Sequence, residues 1–205
     1  MTTTISGTSG VTFPAGGVGN PAGAVVGTTD TQTLTNKTLT SPTITGAVVS
    51  SMASSVITSD TAVASTSGTS INFTGIPSWV KRITVMFNGV STNGTSTTLI
   101  QIGSGSITTS GYVSQGSYGA TAFNSTAGFI IQGISTAATF RDGSVILTLV
   151  SDNNWISTSV LSQNGQYTQV AGGRLSLGGA LDRIRITTTN GTDTFDAGTI
   201  NILYE

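Results

Sequence analysis

Lys81–Val90 reads KRITVMFNGV, and its alternation decides the fold class. Ile83, Val85 and Phe87 fall on one side of an extended chain, and Arg82, Thr84 and Met86 on the other. Strand side chains point to opposite faces with period two, so this stretch has one buried and one wet face. The same pattern recurs downstream. Leu181–Thr188 sets Ile184 and Ile186 against Arg183 and Arg185, and Thr199–Tyr204 sets Ile200, Ile202 and Tyr204 against Thr199, Asn201 and Leu203. Val80–Val90 is thus one of a series of expected strands, with Ile71–Phe73, Thr97–Ile102, Gly128–Ile134, Ser144–Ser151, Trp155–Gln163 and Arg174–Leu177. Turns are expected at Asn93-Gly94, Asp142-Gly143, Asn164-Gly165 and Asn190-Gly191, dipeptides that tolerate positive φ. No window sustains the apolar spacing of an amphipathic helix. The chain reads as all-β, its strands forming a two-sheet antiparallel jelly-roll sandwich, with an up-and-down barrel as the alternative.

Composition agrees and removes several function classes. Charged residues make up 7% of the 205, glycine numbers 27, and the single Glu is Glu205. Typical domains are about a quarter charged, so the surface here must be built from hydroxyls and backbone amides. Net charge is −1 with no basic run, which leaves out the phosphate-neutralising term behind nucleic-acid affinity. No apolar stretch approaches the roughly eighteen residues of a membrane-spanning helix. MTTTISGTSG has neither the basic nor the apolar region of a signal peptide. Without Cys there is no disulfide framework or thiolate metal site, and without His the commonest general base and metal ligand are missing. No metal site and no cofactor is expected.

Upstream of the strands the texture differs. Residues 1–29 are rich in Gly, Thr and Ala, with short apolar marks at Val11, Phe13, Val25 and Val26. Alone they bury too little surface to offset their ordering entropy, so they read as an anchor that orders against another protein, with a loose tail as the alternative. Thr33–Ala47, TLTNKTLTSPTITGA, divides into three pentads that place Leu34, Leu39 and Ile44 five residues apart. That period belongs to neither strand nor helix, and a repeat buries its apolar side only against stacked neighbours. The neighbours are expected from other copies of the chain. Residues 30–66 therefore read as an intertwined stalk and hydroxyl-rich neck, and residues 67–205 as the distal sandwich.

Three phrases carry a family resemblance. TQTLTNKTLTSPTI (Thr31–Ile44) resembles a motif of tailed-bacteriophage fibre and virion-surface proteins. FTGIPSWVKRITVMFNGVSTNGTS (Phe73–Ser96) and LDRIRITTTNGTDTFDAGTINILYE (Leu181–Glu205), with the WISTSVLSQ strand between them, resemble a distal domain of tail-fibre-type proteins. The resemblance covers roughly residues 29–46 and 70–205 and includes no catalytic signature. It implies a homotrimer on the virion surface, assembled in the host cytoplasm, either a head fibre or capsid decoration or a short tail fibre. Residues 1–29 would dock on a capsid or tail protein, and Leu34, Leu39 and Ile44 would line the threefold axis.

The residues offer little for catalysis. Asp193 and Asp196 in GTDTFD are the one acidic pair close in sequence, and a turn entering the last strand is their plainer reading over an acid pair or Ca²⁺ site. The chain is expected not to be an enzyme, with a polysaccharide depolymerase as the remote alternative. Aromatic residues are the remaining candidates. Tyr112 and Tyr118 flank a Gly/Ser-rich stretch, and Trp155 and Tyr167 lie beside turns. An aromatic face with amides and hydroxyls around it is what a sugar-binding surface uses. The other reading of each ring is a core or inter-chain contact, and Trp79 after Pro77 is expected to pack at the base of the sandwich. A host surface polysaccharide is the partner these rings would meet. A capsid cement protein that binds no receptor is the competing function.

Overall fold

The computed structural model describes residues 57–131, 133, 136, 137 and 139–205. Leu34, Leu39 and Ile44, the 1–29 segment and the stalk as far as residue 56 lie outside the described residues. Within them every regular element is a strand and every pairing is antiparallel. In chain order these are β1 (Thr58–Ser59), β2 (Val63–Ala64), β3 (Ser70–Thr74), β4 (Arg82–Thr92), β5 (Thr98–Ser104), β6 (Ser106–Ile107) and β7 (Val113–Tyr118). They continue with β8 (Thr121–Ser125), β9 (Phe129–Ile130), β10 (Arg141–Ser151), β11 (Asn154–Gln163), β12 (Tyr167–Ser176), β13 (Arg183–Thr188) and β14 (Phe195–Tyr204).

The strands form two sheets. The larger has the order β1-β14-β4-β10-β11-β12-β7-β8, with β2 also on β14, and the smaller has β3-β13-β5-β6, with β9 on β5. The alternation in KRITVMFNGV sets the register of the larger sheet. Val85 lies between Val145 and Ile202, Ile83 beside Leu147 and Phe87 beside Ile200, so these chains present one apolar face. In the smaller sheet Ile184 lies between Phe73 and Ile102, and Ile186 between Ile71 and Ile100. All of these side chains belong to one buried cluster, so the two sheets share a core. Trp79 packs on its margin with its ring 5.9 Å from that of Tyr204.

Several elements differ from expectation. Thr58–Ser59 and Val63–Ala64, within the stretch read as neck, pair with β14, and Ser65 is buried with its hydroxyl on the Ala197 carbonyl (2.8 Å). The strand expected at Gly128–Ile134 is the two-residue β9. Its neighbourhood instead covers the outer side of β5, where Gln101 Nε2 donates to the Ala127 carbonyl at 2.9 Å. Asp142-Gly143 is not a hairpin turn. It lies inside β10 at a bulge, with Gly143 at φ 138° and the Asp142 carboxylate accepting the Gly89 N–H (2.6 Å). The Gly/Ser-rich stretch between Tyr112 and Tyr118, not among the expected strands, is β7, and Tyr118-Gly119-Ala120-Thr121 closes a tight hairpin between β7 and β8. Gly119 supplies the positive φ (54°) that such a turn requires.

Candidate functional site

The candidate surface is the side of the larger sheet away from the core. On β10, β11, β12 and β7 most inward positions are apolar or small, with Arg141 and Gln169 as the large buried polar residues, and the outward ones are mainly Ser, Thr, Val and Ile. Register brings the outward positions into rows. Thr148, Ile156, Arg174 and Val113 form one; Ile146, Thr158, Gly172 and Gln115 a second; Ser144, Val160, Val170 and Ser117 a third. Ile146, Ile156, Val160, Val170 and Val113 are all exposed. Gly172 leaves no side chain between Val170 and Arg174, and a shallow depression of about 410 Å³ lies there.

At one end of these strands the surface deepens into a cleft of about 530 Å³. Val113, Val150 and Ile156 give it apolar walls, Ser151, Ser176 and Asn154 give it hydroxyls and an amide, and Arg174 is the one charged side chain that lines it. The two ion pairs of the described residues, Arg82–Glu205 and Arg183–Asp182, do not involve Arg174. Trp155 also lines the cleft. Its indole Nε1 is buried and has no hydrogen-bond partner among the described residues. A volume of this order and a mixed apolar and polar lining are usual for small-molecule sites.

The four aromatic candidates do not converge. Tyr112 is 1% exposed, edge-on to Phe129 with ring centroids 5.0 Å apart. Its hydroxyl accepts the Ile102 N–H at 2.8 Å and lies 3.0 Å from the Thr108 carbonyl as donor. Burial pushes this phenol up to about 12, opposed by the Ile102 hydrogen bond. A ring so enclosed cannot stack on a sugar, and Tyr112 is a core residue. Trp155 is 2% exposed and paired in register with Leu149 and Leu175, so its faces also belong to the core. Tyr118 and Tyr167 do meet, with centroids 4.8 Å apart and planes at 81°, and Tyr167 is 48% exposed. Partial burial, together with the neighbouring Tyr167 hydroxyl, holds the Tyr118 phenol above its ordinary range. This pair sits by the β11–β12 turn, at the opposite end of β12 from Arg174.

The acidic pair separates too. Asp193 accepts from Asn190 Nδ2 and, at 2.9 Å, from the Ser96 N–H, whereas Asp196 accepts from the Ser91 hydroxyl. These hydrogen bonds, Asn190 first, hold the Asp193 carboxyl below its usual range, as expected for a turn residue. No group of three or more His, Cys, Asp or Glu suited to a metal ion occurs among the described residues.

Two features escaped the sequence. Arg141, in RDG, is buried with its guanidinium donating to the Val90 carbonyl at 3.3 Å, and burial lowers it to about 10 against the pull of Asp196. Arg174 gave no motif. Its one signal was alternation in QVAGGRLSL, which places it opposite in phase to Leu175 and hence outward. No protein-family model, curated protein or solved structure matches the chain.

Proposed function

We propose that the chain is the protomer of a non-enzymatic, homotrimeric bacteriophage virion fibre whose distal sandwich meets host surface glycans. Residues 1–29 dock on a capsid or tail protein, the stretch from residue 30 up to β1 entwines, and the sandwich from β1 to Glu205 forms the outward tip. The tip is a jelly roll with an inserted hairpin. Taking β3, β4, β5, β7, β8, β9, β10 and β13 as its eight strands, the smaller sheet holds the first, eighth, third and sixth. The larger holds the second and seventh, then the fourth and fifth, with the β11–β12 hairpin between these pairs.

The observation that carries the glycan reading is the outward face of β10, β11, β12 and β7. Its hydroxyls alternate with exposed Val and Ile in register, an arrangement that meets both the C–H and O–H groups of a sugar. Each contact is weak, and several tips per particle convert weak contacts into firm attachment. The same exposed aliphatic residues favour a second reading, a cement protein whose sandwich packs against its neighbours on the particle.

Purified full-length protein should sediment as a trimer at micromolar concentration and compete with virions for adsorption to host cells. Trimers that leave adsorption unchanged would move the assignment to cement, and a monomer would remove the fibre reading altogether.

A further inference from the structure

We propose that the 530 Å³ cleft between the start of β11, the end of β12 and the start of β7 binds an acidic saccharide, a uronate or a similarly carboxylated sugar. The inference rests on the glycan reading above and adds the ligand class and the residue that selects it.

The charge pattern points to an anion. Arg174 is the one charged side chain among the cleft's lining residues, and no carboxylate shares the lining. It projects from the outward side of β12, between Ile156 and Val113 in register, and is exposed. On a chain with only seven cations among its 205 residues, an exposed Arg outside both ion pairs is a conspicuous donor. A guanidinium offers a planar fork that matches a carboxylate with two parallel hydrogen bonds, which a point charge does not.

The remaining lining fits the rest of a sugar. Val113, Val150 and Ile156 offer apolar contact to ring C–H groups, and Asn154, Ser151 and Ser176 offer donors and acceptors to hydroxyls. These polar groups gather on one side of Arg174, toward the strand end, since Asn154 pairs with Ser176 and with Ser151 one step beyond the Ile156–Arg174 pair. The cleft lies at a strand end beside the β10–β11 turn. The shallow depression at Gly172 and Gln115 continues along β12 and β7 for neighbouring sugar units.

Full-length protein is titrated by saturation-transfer NMR with glucuronate and galacturonate oligosaccharides, with their methyl esters, and with neutral glucan oligosaccharides. The esters keep the ring and remove the charge. The wild type is expected to bind at least one uronate about tenfold more tightly than its ester, the usual scale of a charged hydrogen-bonded pair. Arg174→Gln is expected to bring acid and ester to the same affinity, and Arg174→Lys to keep only part of the preference. Equal binding of acid and ester by the wild type, or a preference that survives Arg174→Gln, overturns the acidic-sugar assignment and leaves the glycan reading standing. Binding of none of these saccharides, acidic, esterified or neutral, overturns this assignment, and if the trimer also fails to compete for adsorption the glycan reading falls with it.

Discussion

Tyr112 closes its hydrogen bonds inside the core, and that position makes it a titrating part of the fold. Its hydroxyl holds β5 at Ile102 and the following turn at Thr108, so the neutral phenol is the form the folded state accommodates. With the ordinary value of 10.0 raised to about 12, the folded protein keeps this proton where the unfolded chain has lost it. The stabilisation is therefore complete below pH 10 and is lost as pH rises through about 12. At about 1.4 kcal/mol per unit the loss amounts to roughly 2–3 kcal/mol. Arg141, lowered to about 10, acts with the opposite sign in the same window, so wild-type stability alone would blend the two. The comparison with Tyr112→Phe separates them. Urea unfolding from pH 9 to 12 should find the variant less stable at pH 9, with the gap closing by roughly 2–3 kcal/mol at the top of the range. A constant gap would place the Tyr112 hydroxyl in a freely solvated setting. At this scale the sequence shows that Tyr112 and Tyr118 are aromatic and flank small residues. Which one turns inward depends on Phe129 and Ile102, partners supplied by other strands. Arg174 was illegible for a similar reason, because its cleft is made by neighbours on β7 and β11.

Strands differ in how openly they announce themselves. β4, β13 and β14 bury β-branched or aromatic side chains at alternate positions, and local pattern was enough to find them. β7 was missed because its inward positions are Ser114 and Gly116, so the alternation carries no hydrophobic signal. The small size is imposed from across the sheet: a Cβ on Gly116 would lie 2.6 Å from the Phe123 ring and 2.9 Å from Ala171 Cβ. Asp142-Gly143 misled in the other direction, since the residues that make a turn also make a bulge. The junction of β4 and β14 shows what a bulge demands. Gly198 sits at φ +93°, and a Cβ there would stand 2.4 Å from the Gly89 carbonyl oxygen, a backbone atom that cannot swing aside. Gly165, in the β11–β12 turn at φ +65°, has nothing within 4 Å of the same position. Gly198→Ala should therefore cost roughly 2–4 kcal/mol, combining backbone strain with the clash, and Gly165→Ala about 1 kcal/mol. Thermal melting of both variants checks the ordering, and equal losses would mean that the β4–β14 bulge relaxes freely.

Among the described residues the sandwich as a whole carries more pairing surface than it uses. β8 ends the larger sheet, and among the described residues no strand lies on its outer side. Its sequence, TAFNS, has none of the charges or prolines that usually protect an edge. The same shortage of charge runs through the chain, with 7% charged residues, so protection by repulsion is weak everywhere. Association with other copies is a physical answer to both facts, and it is what we propose for the pentads of Thr33–Ala47. If Leu34, Leu39 and Ile44 line a threefold axis, each level brings three aliphatic side chains together away from water. An Asp at one level would place three carboxylates there, and burying such charges without partners costs several kcal/mol each. The double variant Leu34→Asp/Leu39→Asp should accordingly sediment as a monomer at micromolar concentration. Its β-sheet circular dichroism should remain, because among the described residues the strands from Ile71 to Ile202 build a core of their own. Trimers that persist in this variant would shift the source of assembly from the pentads to the sandwich, with the bare edge of β8 and the aliphatic rows of β10–β12 as the surfaces to mutate next.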